Sequence, residues 1–487
     1  MTSNRTMLCA LALVVLNPTV LTASKPPETS PPSPLSLAYA VDLALRQNDD
    51  VAIGLEEVIQ SRSDQRLALS SLLPQVNANA QYTRIDRDRA EASFGSAPLE
   101  STTAGFTASQ VIFNDPAITS FRISRRQTEI SRHEFERTRI EVTHAAASAF
   151  IAWISAQAVL EIEQDNLALT QRNLELAQAR REAGSAGPEE VYRWQTEIAV
   201  RSSAVNTAKS NVAKALALLN RTMKSPLRTQ WTAIRPTLKT DLYEFLGKRI
   251  LDLLDRKPGY DVFIELCRET MLEKVPEIKA LDLAIEAQRL SVAQLERRFF
   301  VPDVALQFTY DYTLDENLEG DDIDFGGTGF DFNGGDDENW SVALRADFPL
   351  FEGGGRFAEV GGAKSELRRL LTLKSQTVDI LEEALLNAIY AVGSSHPNIS
   401  LTRSAADTAK KNLGVIQDKY ANGKASILDL VDAQNQSFVQ EQAAVIAVYE
   451  FMQNMLEVQR AMAWFEMTAT TEEVHAWLTK LENRIQE

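Results

Sequence analysis

Two pairs of carboxylates stand at the start of helical stretches. Glu189 and Glu190 follow Pro188, and Asp429 and Asp432 follow Ser426. Acids in the first turn favour the positive end of the helix dipole. Asp429, three residues after Ser426, suits the third position of a capping box. Asp432 lies a turn further in, where neither role applies. The other chemistry-bearing residues are scattered. The four histidines are His133, His144, His396 and His475. His133-Glu134 begins a zinc-protease pattern, but Arg137 occupies the place of the second histidine. No GxSxG, P-loop or CxxC occurs. GGTGFDF (326–332) is similar to one calcium-binding nonapeptide repeat. It occurs once, with Asn333 where an apolar residue belongs, so a solvated acidic loop over 315–338 is the simpler reading. The sequence predicts no catalytic residues, no metal site and no cofactor.

What positions the acidic pairs is a turn between long helices. Before KYANGKASILDLVDAQ (419–434), Ile399, Ala406, Leu413 and Tyr420 recur every seven residues, with Thr402, Ala409 and Ile416 interleaved. That 3-4 spacing is a coiled-coil seam. Asn422-Gly423 stops the helix, because glycine accepts the left-handed conformation of a helix end. A second seam climbs away through Leu428, Val431, Asn435, Phe438, Gln442, Val445, Tyr449, Met452 and Leu456. REAGSAGPEEVYRWQ (181–195) repeats the turn at an offset of 239 (423 − 184), matching Gly184 with Gly423, Glu190 with Asp429 and Gln195 with Gln434. The same offset yields Leu160, Leu167 and Leu174 on the descending seam. A repeat sustained over that length implies a duplicated unit.

The chain of 487 residues has a net charge of −17, which argues against a nucleic-acid partner, since phosphates need a basic face. Arg5, the apolar run 7–16 and the small residues Thr22, Ala23 and Ser24 predict a secretory signal over 1–23. Ten apolar residues are too few to cross ~30 Å of hydrocarbon. A proline-rich lead-in follows over 24–35, and Cys267 is then the only cysteine, so no internal disulfide is expected. No later stretch reaches 18 clean apolar residues. An exported chain without a spanning helix is periplasmic or a β-barrel.

A helix is expected over 36–73, ended by Pro74. The period then becomes two: Val76, Ala78, Ala80 and Tyr82 alternate with Asn77, Asn79, Gln81 and Thr83. After a polar loop, a second strand covers 102–113. In the second copy a helix over 275–300 leads to VPDVALQFTYDYTL, where Val304, Leu306, Phe308, Tyr310, Tyr312 and Leu314 share a face. NWSVALRADF then places Trp340, Val342, Leu344, Ala346 and Phe348 together. A soluble sheet with one buried face would also alternate. The Asn, Gln, Thr and Asp content of the other faces suits a wet lumen, and the aromatics suit interfacial girdles. Four strands cannot close a barrel, whose smallest natural forms have eight, so the chain must oligomerise. Long helices are expected from Asp115-Pro116, with Asp115 as the N-cap and Pro116 at N1, to Ala183, and from after Gly353-Gly354-Gly355 to Tyr420, the latter interrupted near Gly393 and Pro397. Shorter ones return over 188–219 and 427–465. The arginines opening the first long helix (Arg122, Arg125, Arg126, Arg132, Arg137 and Arg139) read either as a solvated face or as contacts to anionic head groups. The domain reading is a first repeat over 36–240, an equatorial segment over 241–261, a second repeat over 262–467 and a C-terminal equatorial segment over 468–487.

Taken in order and twice over, LAYAVDLALRQNDDV, LLPQVNANAQY, SQVIFNDPA, REAGSAGPEEVYRWQ, VPEIKALDLAIEAQ, FVPDVALQFTYDY, ADFPLFEGGGR and KYANGKASILDLVDAQ resemble the TolC family of outer-membrane efflux and secretion ducts. The resemblance covers nearly the whole chain after the signal. It implies a mainly α protein with a small β-barrel contribution. Each copy of a homotrimer would lend four strands to a 12-stranded barrel in outer-membrane lipid, above a periplasmic helical tunnel. It implies a periplasmic adaptor and an inner-membrane pump or ABC transporter as partners. The turns at Gly184, Gly187, Pro188, Gly423, Lys424 and Ser426 would meet the adaptor. Asp429 and Asp432 match the family's acidic pore ring, and Tyr420 and Glu190 its closing hydrogen-bond network. Val304, Leu306, Phe308, Tyr310, Trp340, Val342 and Leu344 would face lipid. In such a ring, like charges make some carboxylates hold protons more tightly. One departure stands out: Ala425 replaces an arginine partner of the closing network. A pump-independent porin and a soluble periplasmic scaffold are the alternative readings.

Overall fold

The computed structural model describes residues 34–93, 97–235, 257–317 and 337–486. The expected signal, most of the lead-in, 241–256 of the equatorial segment and most of the acidic loop lie outside the described residues.

The elements come in two matching sets. The first is α1 (Leu37–Gln47), α2 (Asp49–Ser70), β1 (Gln75–Arg84), a short α3 (Arg87–Glu91), β2 (Glu100–Phe113), α4 (Asp115–Glu182) and α5 (Pro188–Thr222). The second is α6 (Lys257–Lys274), α7 (Pro276–Arg297), β3 (Asp303–Asn317), β4 (Glu338–Asp347), α8 (Gly355–Ala421) and α9 (Ile427–Ala461), followed by α10 (Thr471–Gln486). The duplication extends to lengths: 68 and 67 residues for α4 and α8, 35 each for α5 and α9, and 22 each for α2 and α7. At ~1.5 Å per residue the two long helices reach about 100 Å. Both returning helices end on a left-handed residue, Lys224 (φ 56°) and Ala463 (φ 53°), again 239 apart (463 − 224).

The short helices fill the long ones' length in pairs. Asn48 Nδ2 donates to the Thr222 carbonyl at 2.9 Å, and Lys224 pairs with Asp49, so the end of α5 meets the start of α2 beside α4. The core sits at mid-height. There α1 packs on the middle of α4 and α6 on that of α8, with α10 against α6, burying Phe150, Trp153, Phe263, Phe451 and Trp464.

Several expectations need correction. The stretch 36–73 is two helices, because the Asn48 side chain accepts the Asp50 N–H at 2.8 Å and restarts the helix. The cap of α4 is Asn114, which accepts the Ala117 N–H at 2.7 Å; Asp115 is already helical. Helix α8 runs unbroken through Gly393 and Pro397. Gly393 is there for packing: a Cβ on it would stand 3.2 Å from the Tyr260 hydroxyl oxygen. Leu428 keeps the seven-residue line of Asn435 and Tyr449 but is 62% exposed, so no described residue buries this end of the ascending seam. Of the early arginines, Arg132, Arg137 and Arg139 pair with Glu129, Glu141 and Glu136 on their own helix, which favours the solvated-face reading.

The four strands form one antiparallel sheet in the order β1-β2-β3-β4. Register aligns the two faces across the middle of the sheet, between two irregularities in the β2–β3 pairing at Thr102/Thr103 and Val111/Phe113. Val76, Ala108, Phe308 and Val342 make one row, and Ala78, Phe106, Tyr310 and Trp340 the next. Leu306 stands opposite Leu344, and Val304 opposite Ala346. The other face carries Asn77, Thr107, Thr309 and Ser341, then Asn79, Gly105, Asp311 and Asn339. No described element covers the apolar face; Trp340 is 65% and Leu344 70% exposed.

Candidate functional site at the helix turns

The ends of α4 and α8 are built alike. Gly184 (φ 75°) and Gly423 (φ 71°) take the left-handed conformation. Ser185 N–H then reaches the Arg180 carbonyl at 2.8 Å, and Lys424 N–H the Lys419 carbonyl at 2.7 Å. This closure satisfies carbonyls that a helix end leaves open. Pro188 opens α5 after Gly187, and Ser426 caps α9. Lys424 is exposed at the outermost part of the turn.

Behind the turns lies a small core of Ala177, Val191, Trp194, Leu413, Tyr420, Leu430, Val431 and Ala433, with Ala425 packed against it. Tyr420 is fully buried in it. Its hydroxyl donates to Glu190 Oε2 at 2.5 Å, linking the end of α8 to the start of α5. Burial, reinforced by that hydrogen bond to a carboxylate, pushes the phenol up to about 12. The two positions that the resemblance assigns to the closing network are hydrogen-bonded to each other within one chain.

Sequence reading missed Arg180. Its guanidinium carbon lies 4.3 Å from the Tyr420 ring centroid, and Nη1 donates to the Tyr420 carbonyl at 2.6 Å. An arginine thus does reach this network, from α4 rather than from position 425. Its only sequence signal is a basic residue in the last turn of a helix, which the dipole alone explains.

Asp429 and Asp432 both lie exposed near the start of α9. Asp429 accepts the Ser426 backbone N–H at 2.9 Å and hydroxyl at 2.8 Å, completing a capping box. These bonds hold its carboxyl below the usual carboxylate range. Within one chain its proton is held less tightly, opposite to the expectation for a crowded ring.

About two turns above the tip, sequence reading also passed over a buried polar layer. Gln434 donates to Asn166 Oδ1 and Thr170 Oγ1 and accepts from Asn173 Nδ2, each at 2.8 Å. These α4 residues share a helical face at spacings of four and three, which a search for apolar seams overlooks. Every amide hydrogen-bonding group of Gln434 that the layer uses depends on one register of α9 against α4, so slippage would leave buried polar atoms unpaired.

Comparison with known proteins supports the fold. The chain shares the architecture of the Campylobacter jejuni CmeC outer membrane channel (TM-score 0.71, 16% identity, 91% of this chain and 89% of that one). The outer membrane protein VceC of Vibrio cholerae gives TM-score 0.70 at 15% identity, covering 88% of this chain and 97% of that one. In sequence it is 20% identical over 409 residues to the solvent efflux pump outer membrane protein SrpC of Pseudomonas putida, covering 84% of this chain and 80% of that protein. The toluene efflux pump outer membrane protein TtgI of Pseudomonas putida matches equally, at 20% over the same shares. Nodulation protein T of Rhizobium leguminosarum bv. trifolii is 28% identical over 113 residues, 23% of this chain and 24% of that protein. The family profile matches residues 40–223 and 268–463, one block for each repeat, so the chain belongs to the outer membrane efflux protein family, with its place in the outer membrane and its helices extending into the periplasm.

Proposed function

We propose that the chain is the exit duct of a tripartite efflux assembly, working as a homotrimer. The observation that carries this reading is the uncovered four-stranded sheet, apolar on one face and polar on the other, with β1 and β4 as free edges. An apolar sheet face left open to water is unstable unless lipid covers it, and free edges invite pairing. Joining β4 of one copy to β1 of the next removes every edge and yields twelve strands from three copies, with the polar faces lining a lumen. Exposed apolar residues on α8 (Leu371, Ile380, Leu401) and α2 (Ile53, Ile59, Leu67) are available for packing between copies.

In this reading Tyr420 and Glu190 hold the periplasmic end closed, and Asp429 and Asp432 line the constriction as a cation-attracting ring. The turns with Gly184, Gly187 and Pro188, and with Gly423, Lys424 and Ser426, meet the periplasmic adaptor. An inner-membrane pump or ABC transporter supplies the energy. That SrpC and TtgI are named as parts of efflux pumps supports an efflux pump over a secretion transporter as the partner. The repeats, 36–240 and 262–467, act as two similar halves of each copy's share of the duct.

The test is mass and conductance together. Detergent-extracted protein should be three copies in mass and should conduct ions in a planar bilayer with cation preference. Asp429→Ala with Asp432→Ala should abolish that preference and weaken block by a trivalent cation, with the trimer intact. A non-conducting monomer would overturn the duct reading. A double variant with native selectivity would reduce the two acids to helix-start residues.

A further inference from the structure

The two turns are copies 239 residues apart, yet their equivalent acids are used differently, and the difference traces to one residue. In the second copy Ser426 is the N-cap of α9, and its Oγ accepts the Asp429 N–H at 3.2 Å. Asp429 returns two hydrogen bonds to Ser426, so its carboxylate is consumed on its own helix start. In the first copy the position equivalent to Ser426 (426 − 239 = 187) is Gly187. It has no side-chain oxygen, and α5 begins without a side-chain cap. Glu190, third in its helix as Asp429 is in its own, has no box to join. Its carboxylate crosses to α8 instead and accepts the Tyr420 hydroxyl at 2.5 Å.

We infer that Gly187 is a positioning residue for the tip: the missing cap oxygen releases Glu190 from its own helix start and makes it available to Tyr420. The inference rests on the reading of the Tyr420–Glu190 bond as the closure of the duct. The usual reason for a glycine in a turn does not apply here. Gly187 has φ −85° and ψ 171°, extended backbone that any residue adopts. The atoms nearest to a Cβ there would be those of the Glu189 carboxylate, the free end of a flexible side chain that can swing into solvent. Nothing in the backbone demands glycine, whereas serine at an N-cap with glutamate three residues on is the strongest form of the box. Gly187→Ser would therefore set up a competition for Glu190. Arg180 would still lie over the Tyr420 ring, so the change isolates the carboxylate.

The experiment compares three full-length variants, without adaptor, by resting conductance in planar bilayers and by thermal unfolding of the helices. Gly187→Ser is expected to raise the open fraction about 1.5- to 2-fold, the modest ratio by which a serine cap exceeds a glycine one, with helix stability unchanged or higher. Gly187→Ala, which adds a Cβ but no oxygen, is expected to stay at the native open fraction. Tyr420→Phe removes the acceptor's partner outright and reports on the closure itself. If Tyr420→Phe stays closed, the closure reading fails and the inference with it. If Tyr420→Phe opens but Gly187→Ser does not, the inference alone is overturned. Equal opening by the serine and alanine variants also overturns it, since the cap oxygen would then play no part.

Discussion

Replacing Arg180 by methionine should loosen the tip by an amount that its contacts define. The substitution keeps an apolar stem against α8 but removes the hydrogen bond to the Tyr420 carbonyl (2.6 Å) and the cation over the ring (4.3 Å). A hydrogen bond from a charged donor is worth roughly 1.5–3 kcal/mol. The lower end applies, because the Gly423 N–H also reaches that carbonyl at 3.0 Å and keeps it from being orphaned. The cation–π contact at a partly exposed site adds about 0.5–1 kcal/mol. The further approach of Nη2 to the Ser185 carbonyl, at 3.5 Å, is at the limit of a hydrogen bond and adds nothing. The sum is about 2–2.5 kcal/mol per chain, or roughly 30- to 70-fold in the closed-to-open ratio of one tip. Arg180→Lys keeps a cation near the ring but not the planar fork, and should recover about half of that energy. Resting conductance in planar bilayers, together with entry of a bulky probe into whole cells, reads the change. If Arg180→Met leaves both at the native level while Tyr420→Phe raises them, Arg180 only packs against the tip and the energetic argument is wrong.

Three other outcomes follow from the same geometry. Leu306→Arg should block barrel assembly, since a cation on the lipid face near the midplane costs ~2–4 kcal/mol, whereas Thr309→Arg on the polar face should be tolerated; equal yields of heat-stable trimer would refute the facing. Gly423→Val should strain the left-handed turn at φ 71° and weaken cross-linking to the adaptor, with the trimer yield unchanged; joint loss of both would point to misfolding instead. The raised phenol of Tyr420 sets a pH limit. Its folded value, about 12, lies above the ordinary ~10, so its contribution is complete below pH ~10 and fades as pH rises toward 12. Resting conductance should climb across that window, and Tyr420→Phe should abolish the climb.

Much of this architecture was legible in the sequence because periodicity follows from backbone geometry. Alternation at two is the signature of a strand face, and Val304 to Leu314 and Trp340 to Ala346 declare theirs residue by residue. The 3-4 spacing through Leu413 and Tyr420 declares a helical seam, and Gly184 and Gly423 mark where each helix must end, because few other residues accept a left-handed backbone there. The duplication was visible as well, since two copies of one turn keep their spacing even after their residues diverge. What the tertiary structure decided were the partners that no period encodes. Asn48 reads as one residue of a continuous helix until its side chain is seen to cap the next one. Gly393 looks like a helix breaker until Tyr260 is found against it. Arg180 lies 240 residues from Tyr420, and only the packing of α4 on α8 brings its guanidinium onto the ring. The acids show the division most plainly. Sequence placed Glu190 and Asp429 at the same step of two equivalent helices. Which acid closes on its own cap and which reaches across the tip depends on a side-chain oxygen competing with a tyrosine from another helix, and that competition exists only once the chain has folded.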